Sequence, residues 1–191
     1  MSEINFPSVI TKFDTILQRG LCSGLGKPDG QMCIEAAICA ALDLPHGDNP
    51  SCVEPAVRSF KIALNDSLWS SPQARAKGLR DLGIAQIGSK GVVDGKEFCS
   101  LLRKYTIQRL IPDLFRRCPI KVEPHRTNIL EAAKVCEKTG GAAEAAGAAW
   151  VAGAAGAAPE PDYFLLLCAS IALDVLRELK SPGVVWLDKT S

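Results

Sequence analysis

The chain has 191 residues, 22 basic and 21 acidic side chains, a formal net charge of +1 and 47% hydrophobic residues. That length carries one ordinary domain with its own core and needs no disulfide or metal to compensate for smallness. The charge balance excludes the whole-molecule electrostatics of a nucleic-acid or membrane-surface binder, and the longest weakly polar runs, Gly140 to Ala158 and Tyr163 to Leu173, are respectively too Ala/Gly-rich and too short to span a bilayer.

The opening residues, Met-Ser-Glu-Ile-Asn-Phe-Pro, have neither a positive n-region nor an apolar h-region, so a cytoplasmic setting is the expectation. Pro7, Val9, Ile10, Phe13, Ile16 and Leu17 have the one-sided spacing of a first amphipathic helix, about Pro7 to Arg19, with Gly20 as its stop. Residues 21–30 hold three glycines and a proline and read as a loop. Glycines there would suit a phosphate cradle, but neither Gly-x-x-x-x-Gly-Lys-Ser/Thr nor Gly-x-Gly-x-x-Gly is present and no strand precedes it.

Gln31 to Leu42 is apolar around most of its circumference, and Glu35 is its only charged side chain. A helix of that kind belongs in the middle of a bundle. Asp29 and Gly30 stand at the expected cap, and Asp43-Leu44-Pro45 stops the helix because Pro45 disfavours helical geometry at Leu44. A third helix follows a predicted capping box at Ser51 and Glu54 and buries Val53, Val57, Phe60 and Leu64, ending at Asn65-Asp66. Ser71-Pro72 starts a fourth, running to about Gly88, and its internal Gly78 and Gly83 predict close approach of other helices. Asp94 and Glu97 start a fifth, through Phe98, Leu101, Leu102, Tyr105, Leu110 and Ile111, which Pro112 kinks or interrupts. A sixth runs from Pro124 to Gly140-Gly141, and a last, Leu-rich one spans about Asp162 to Lys180. Between them, residues 141–158 repeat in triplets of one variable residue and two small apolar ones, which predicts an Ala-rich helix without a bulky face.

The eight cysteines lie mostly in apolar helical contexts and read as reduced, buried small hydrophobes. Cys33, near a helix N-terminus, with His46 and Asp48 downstream, supplies the residue types of a thiol enzyme. Their spacing argues against contact, since the helix carries the chain roughly 13 Å from Cys33 before His46 is reached. A zinc site is disfavoured because Cys22, Cys33, Cys39, His46 and Cys52 include no Cys-x-x-Cys or Cys-x-x-His pair. No pattern implies a cofactor. Better placed for binding is the polar end formed by His46, Asp48, Asn65, Asp66, Trp69 and Arg75, since loops at one end of a bundle collect binding residues. Residues 103–126 carry Arg103, Lys104, Arg109, Arg116, Arg117, Lys121 and Arg126 with Tyr105 and Phe115 interleaved. Arg116, Arg117 and Lys121 are the candidate phosphate contacts there, against the alternative of a solvated or internally paired face.

The block from Gly20 to Ser89, with Gly-Gln-Met-Cys-Ile-Glu-Ala-Ala-Ile-Cys-Ala-Ala-Leu, Leu-Pro-His-Gly-Asp, Leu-Asn-Asp-Ser-Leu-Trp-Ser-Ser and Ala-Arg-Ala-Lys-Gly-Leu-Arg, resembles a group of uncharacterised bacterial and bacteriophage proteins that also carry an Ala-rich repeat and a final Leu-rich helix. The resemblance covers most of the chain and implies a prokaryotic or phage setting but no reaction.

The reading is therefore one all-α domain over residues 1–191, a bundle of about seven helices with helix 31–42 buried at its centre and the 141–158 rod against the last helix. The expected function is a non-enzymatic binding or interaction module whose partner is a protein or a small molecule. An enzyme using Cys33 or the His46/Asp48/Asp66 end is the alternative, and nucleic-acid binding through residues 103–126 is the third reading.

Overall fold

The computed structural model describes residues 5–117, 125–139 and 161–187, and among these it is an all-α bundle with no strand. The helices are α1 (Phe6–Leu17), α2 (Ile34–Ala41), α3 (Pro55–Asn65), α4 (Pro72–Ala85), α5 (Gly95–Tyr105), α6 (Ile111–Arg117), α7 (His125–Thr139) and α8 (Pro161–Glu178), followed by a 3-10 turn at Pro182–Trp186. The run from α5 to α6 is continuous through a π turn at Thr106–Leu110, so the described residues form seven rods. Pro112 has no N–H for the carbonyl four residues back, and the ladder widens just before it, the Ile111 N–H bonding to Thr106. The proline expected to kink or interrupt this helix does not interrupt it, because the π turn that precedes it absorbs the missing N–H. The Ala-rich 141–158 segment lies outside the described residues.

Helix α2 is the hub. Ile34, Glu35, Ala36, Ala37 and Ile38 have no exposed surface, and α1, α3 and α4 pack around them. Burying Ile34 and Ile38 contributes roughly 1.5–3 kcal/mol apiece. The same core takes Phe13 from α1, Val57 from α3, Leu79 and Leu82 from α4, and Val175 and Leu176 from α8. The two helical glycines mark the close approaches: a Cβ on Gly83 would lie 2.8 Å from the Phe13 ring, and one on Gly78 2.5 Å from the Trp69 ring. Side chains at those positions would force the helices apart.

Two starts differ from expectation. Helix α2 begins at Ile34 rather than Gln31, because Met32 is engaged backbone to backbone with Leu21 and Gly26, leaving Cys33 extended as the N-cap. The cap is accordingly not Asp29 or Gly30 but the Cys33 thiol, which accepts from the Ala36 N–H at 3.4 Å. Helix α3 has Glu54 as its N-cap residue with no side-chain cap, and the Glu54 N–H instead donates to Ser89 Oγ at 2.9 Å, so the Ser51/Glu54 capping box does not form. Ser71 and Asp94 cap α4 and α5 as their sequences imply.

Candidate functional site

The N-terminal end of α2 carries the densest buried polar cluster. Glu35 and Lys61 are both fully buried, with Lys61 Nζ 3.2 Å from Glu35 Oε1, and Gln86 donates to the other carboxylate oxygen at 2.9 Å. Burial holds the Lys61 ammonium well below its ordinary pKa, with Glu35 opposing the shift. The pair is close enough for strong attraction, yet neither Glu35 Oε1 nor Lys61 Nζ has a hydrogen bond of good geometry, and Gln86 Oε1 also lacks one. Such orphaned atoms are expensive in a core.

Immediately outside this pair lies a narrow cleft of about 40 Å³. Its floor is Cys33, Glu35 and Asn65, all buried, and its mouth is Gly24, Leu25 and Asp66, all exposed, with Asp48 on one wall. Asn65 organises it: its amide oxygen accepts from the Ile34 N–H at 3.2 Å, and its amide nitrogen donates to the Cys22 carbonyl at 3.0 Å and to Asp66 Oδ1 at 2.8 Å. Asp66 Oδ1 also accepts from the Gly24 N–H at 2.8 Å and from Ser23 Oγ at 3.3 Å. Partial burial tends to raise the Asp66 carboxyl, but those hydrogen bonds and the charge of Arg75 outweigh it and hold the group below its usual pKa. Asp48 is fixed by Arg58, which donates to its carboxylate at 2.8 Å and to its backbone carbonyl.

Arg75 is a positioning residue behind the cleft. Its guanidinium donates to the carbonyls of Asn65 and Leu21, each at 2.8 Å, which ties the end of α3 to the loop over residues 21–30. Cys33 is 5% exposed, and desolvation raises its thiol pKa although the Ala36 N–H works the other way. The helix dipole that would favour a thiolate therefore loses to burial. Burial also pushes the Cys39 thiol up to about 11.

The structure thus brings Asp48, Asn65 and Asp66 to one cleft, adds Cys33 and Glu35, and leaves three predicted residues outside its lining, Arg75 behind it and His46 and Trp69 elsewhere. His46 stands on an exposed turn outside the cleft. Trp69 is buried because its ring fills the gap at Gly78 and its indole N–H donates to the Leu64 carbonyl at 2.9 Å, so it is a wall of the core. Lys61 was not among the residues singled out from the sequence. Its signal was there: it lies four residues after Val57 and three before Leu64, on the flank of the apolar face of α3.

Among the basic residues, Arg109 pairs with Asp174, Arg116 with Glu137 and Arg117 with Asp113, and Arg117 also sits over the Tyr163 ring at 3.8 Å. Lys121 lies outside the described residues. A wider groove of about 820 Å³ separates the first turns of α3 and α5, but its charges, among them Lys96 and Arg103, are solvated and of both signs. Among the described residues no group of three or more His, Cys, Asp or Glu side chains has the geometry to hold a metal ion, and no helix is long and apolar enough to cross a membrane. Comparison of the chain with protein-family models, curated proteins and solved structures finds no match in any of the three.

Proposed function

We propose that this chain is a non-enzymatic binding module whose recognition point is the cleft over the N-terminus of α2. One observation carries the reading: a fully buried carboxylate, Glu35, faces a small cleft whose other polar groups, Cys33, Asp48, Asn65 and Asp66, come from three separate segments and converge on it. A buried ion pair is weak evidence for stability, and a desolvated ionisable pair beside a cleft is a candidate for a functional site. The cleft is far smaller than the roughly 300–1,000 Å³ of a typical drug-sized site, which fits capture of one compact polar group, either of a small molecule or of a partner's side chain.

The test is a thermal-shift screen with four compact probes, n-butylammonium chloride, sodium acetate, inorganic phosphate and N-methylacetamide, on the wild type and on Asp48→Asn/Asp66→Asn. The expected result is a saturable rise in Tm with at least one probe that the variant loses. If no probe raises Tm, or the variant responds like the wild type, the reading is wrong.

A second reading, thiol chemistry at Cys33, is favoured by the presence of Cys33 on the cleft floor. It requires an accessible, reactive thiol, and the burial of Cys33 works against it. Iodoacetamide labelling of the same samples separates the two: the binding reading expects Cys33 to react far more slowly than exposed Cys99, and the enzymatic one the reverse. Nucleic-acid binding through residues 103–126 ranks third, because the arginines that would meet phosphate are engaged with carboxylates of the same chain.

A further inference from the structure

We infer that Cys22 and Cys33 are a redox pair, which hydrogen peroxide converts reversibly to a disulfide that closes the loop over residues 22–33. The inference does not rest on the binding reading above. Both thiols are free in this structure, and the backbone sets them side by side. Leu21 and Met32 form a parallel bridge, and the Cys22 N–H donates to the Met32 carbonyl at 3.1 Å. Cys22 and Cys33 are the next residues on the two segments. Where the following rung of a parallel ladder would fall, the Asn65 side chain stands in: its amide nitrogen donates to the Cys22 carbonyl at 3.0 Å and its oxygen accepts from the Ile34 N–H at 3.2 Å. The two cysteines are therefore held between one direct rung and one carried by Asn65. Paired segments lie about 4.8 Å apart, and the Asn65 insertion widens that gap, which gives a Cα separation of about 5–6.5 Å, within the roughly 4.4–6.8 Å that a disulfide spans.

The face is the right one as well. Leu21 and Met32 turn into the core, with 0% and 2% of their surface exposed, so alternation sends Cys22 and Cys33 to the other side. The Cys22 thiol lies over the segment that leads into Cys33: it donates to the Gly24 carbonyl at 3.6 Å, and a Cβ on Gly26 would stand 2.6 Å from both Cys22 Sγ and Met32 Cα. Cys33 borders the same glycine, since it lines the cleft with Gly24 and Leu25. Exposure sets the order of events. Cys22 is half-buried and Cys33 only 5% exposed, so the peroxide meets Cys22 first. The Cys22 thiolate attacks one peroxide oxygen, the O–O bond breaks, and the other oxygen leaves as hydroxide and is protonated to water. The Cys33 sulfur then attacks the Cys22 sulfenic acid: the S–S bond forms, the S–O bond breaks, and the hydroxyl leaves as water with the Cys33 proton. Two thiols lose two electrons to one peroxide, which ends as two waters. Gly24 and Leu25 of the cleft mouth lie inside the closed loop and Cys33 on the floor, so the cross-link fixes the one against the other.

The test treats the full chain with hydrogen peroxide in the presence of dimedone, which traps sulfenic acids. Remaining thiols are blocked in denaturant, and cleavage before Asp29 puts Cys22 and Cys33 on separate peptides for mass spectrometry. The expected product is a Cys22–Cys33 linked pair, told from a Cys39 link by fragmentation, that dithiothreitol separates. Cys33→Ser retains a good helix N-cap and should raise dimedone labelling of Cys22 about tenfold or more, because the resolving thiol next to it is gone. Cys22→Ser should leave Cys33 neither linked nor trapped. Exposed Cys99 measures background oxidation in the same samples. Equal labelling of Cys22 in wild type and Cys33→Ser, a link from Cys22 to a different cysteine, or an unmodified Cys22 once Cys99 is labelled would overturn the inference. Should either variant lose its helical circular dichroism, the linked pair in the wild type decides alone.

Discussion

Lys61 is a costly side chain to bury. An ammonium with no exposed surface loses its hydration, and the 3.2 Å contact with Glu35 repays that loss only in part. Lys61→Met should therefore destabilise the fold by about 3–5 kcal/mol, not because the pair is a strong staple but because Glu35 is left as an unpaired buried charge. Glu35→Gln/Lys61→Met removes both charges and should recover most of that loss, as read by urea denaturation. If the double variant is as unstable as the single one, the cost lies in packing rather than in charge. The pH dependence has a definite sign. The folded-state pKa of Lys61 lies below its ordinary value, so over the interval between the two the unfolded chain binds the extra proton and stability rises with pH. Wild type should show that alkaline rise and Lys61→Met should not.

At the scale of the element, the helices were legible where the signal is local and obscure where a distant segment intervenes. Ser71 and Asp94 cap the helices that follow them because a cap needs only the next three residues. The start of α2 was misplaced by three residues because Met32 is held by Leu21 and Gly26, a contact no hydrophobic period encodes. Asp48, Asn65 and Asp66 could be picked as polar residues at one end of the bundle, but that Asn65 spends both ends of its amide building the cleft depends on the position of the loop over residues 21–30. Trp69 looked like a binding aromatic because its receptor, the missing side chain of Gly78, lies inside the helix that follows its loop. That receptor gives a prediction. Gly78→Ala improves intrinsic helix propensity by up to about 1 kcal/mol, but its methyl would stand 2.5 Å from the Trp69 ring. Overpacking should win, for a net loss of about 1–3 kcal/mol, whereas Gly78→Ala in a Trp69→Leu background should cost much less. Equal costs in the two backgrounds would exclude the ring as the cause.

Across the whole molecule, stability is distributed unevenly. Helix α2 is enclosed by α1, α3 and α4 and carries the polar cluster, so its amides can meet solvent only when the core comes apart. Helix α7 is placed differently: it packs chiefly on α6 and the π turn, and of its described side chains only Ala133 is fully buried. Its link to α6 includes the Arg116 to Glu137 pair, whose side chains are 46% and 39% exposed, and an ion pair of that kind contributes at most about 1 kcal/mol. Native-state hydrogen exchange should therefore resolve two levels. The Ala37 to Leu42 amides should exchange only through global unfolding, at the free energy measured by urea, while α7 should open locally at a cost several kcal/mol lower. Arg116→Ala should speed exchange in α7 and leave α2 unchanged. If α2 exchanged as freely as α7, the hub would not be a hub, and the cleft built on its first turn would lack the rigid floor that selective capture of one compact polar group requires.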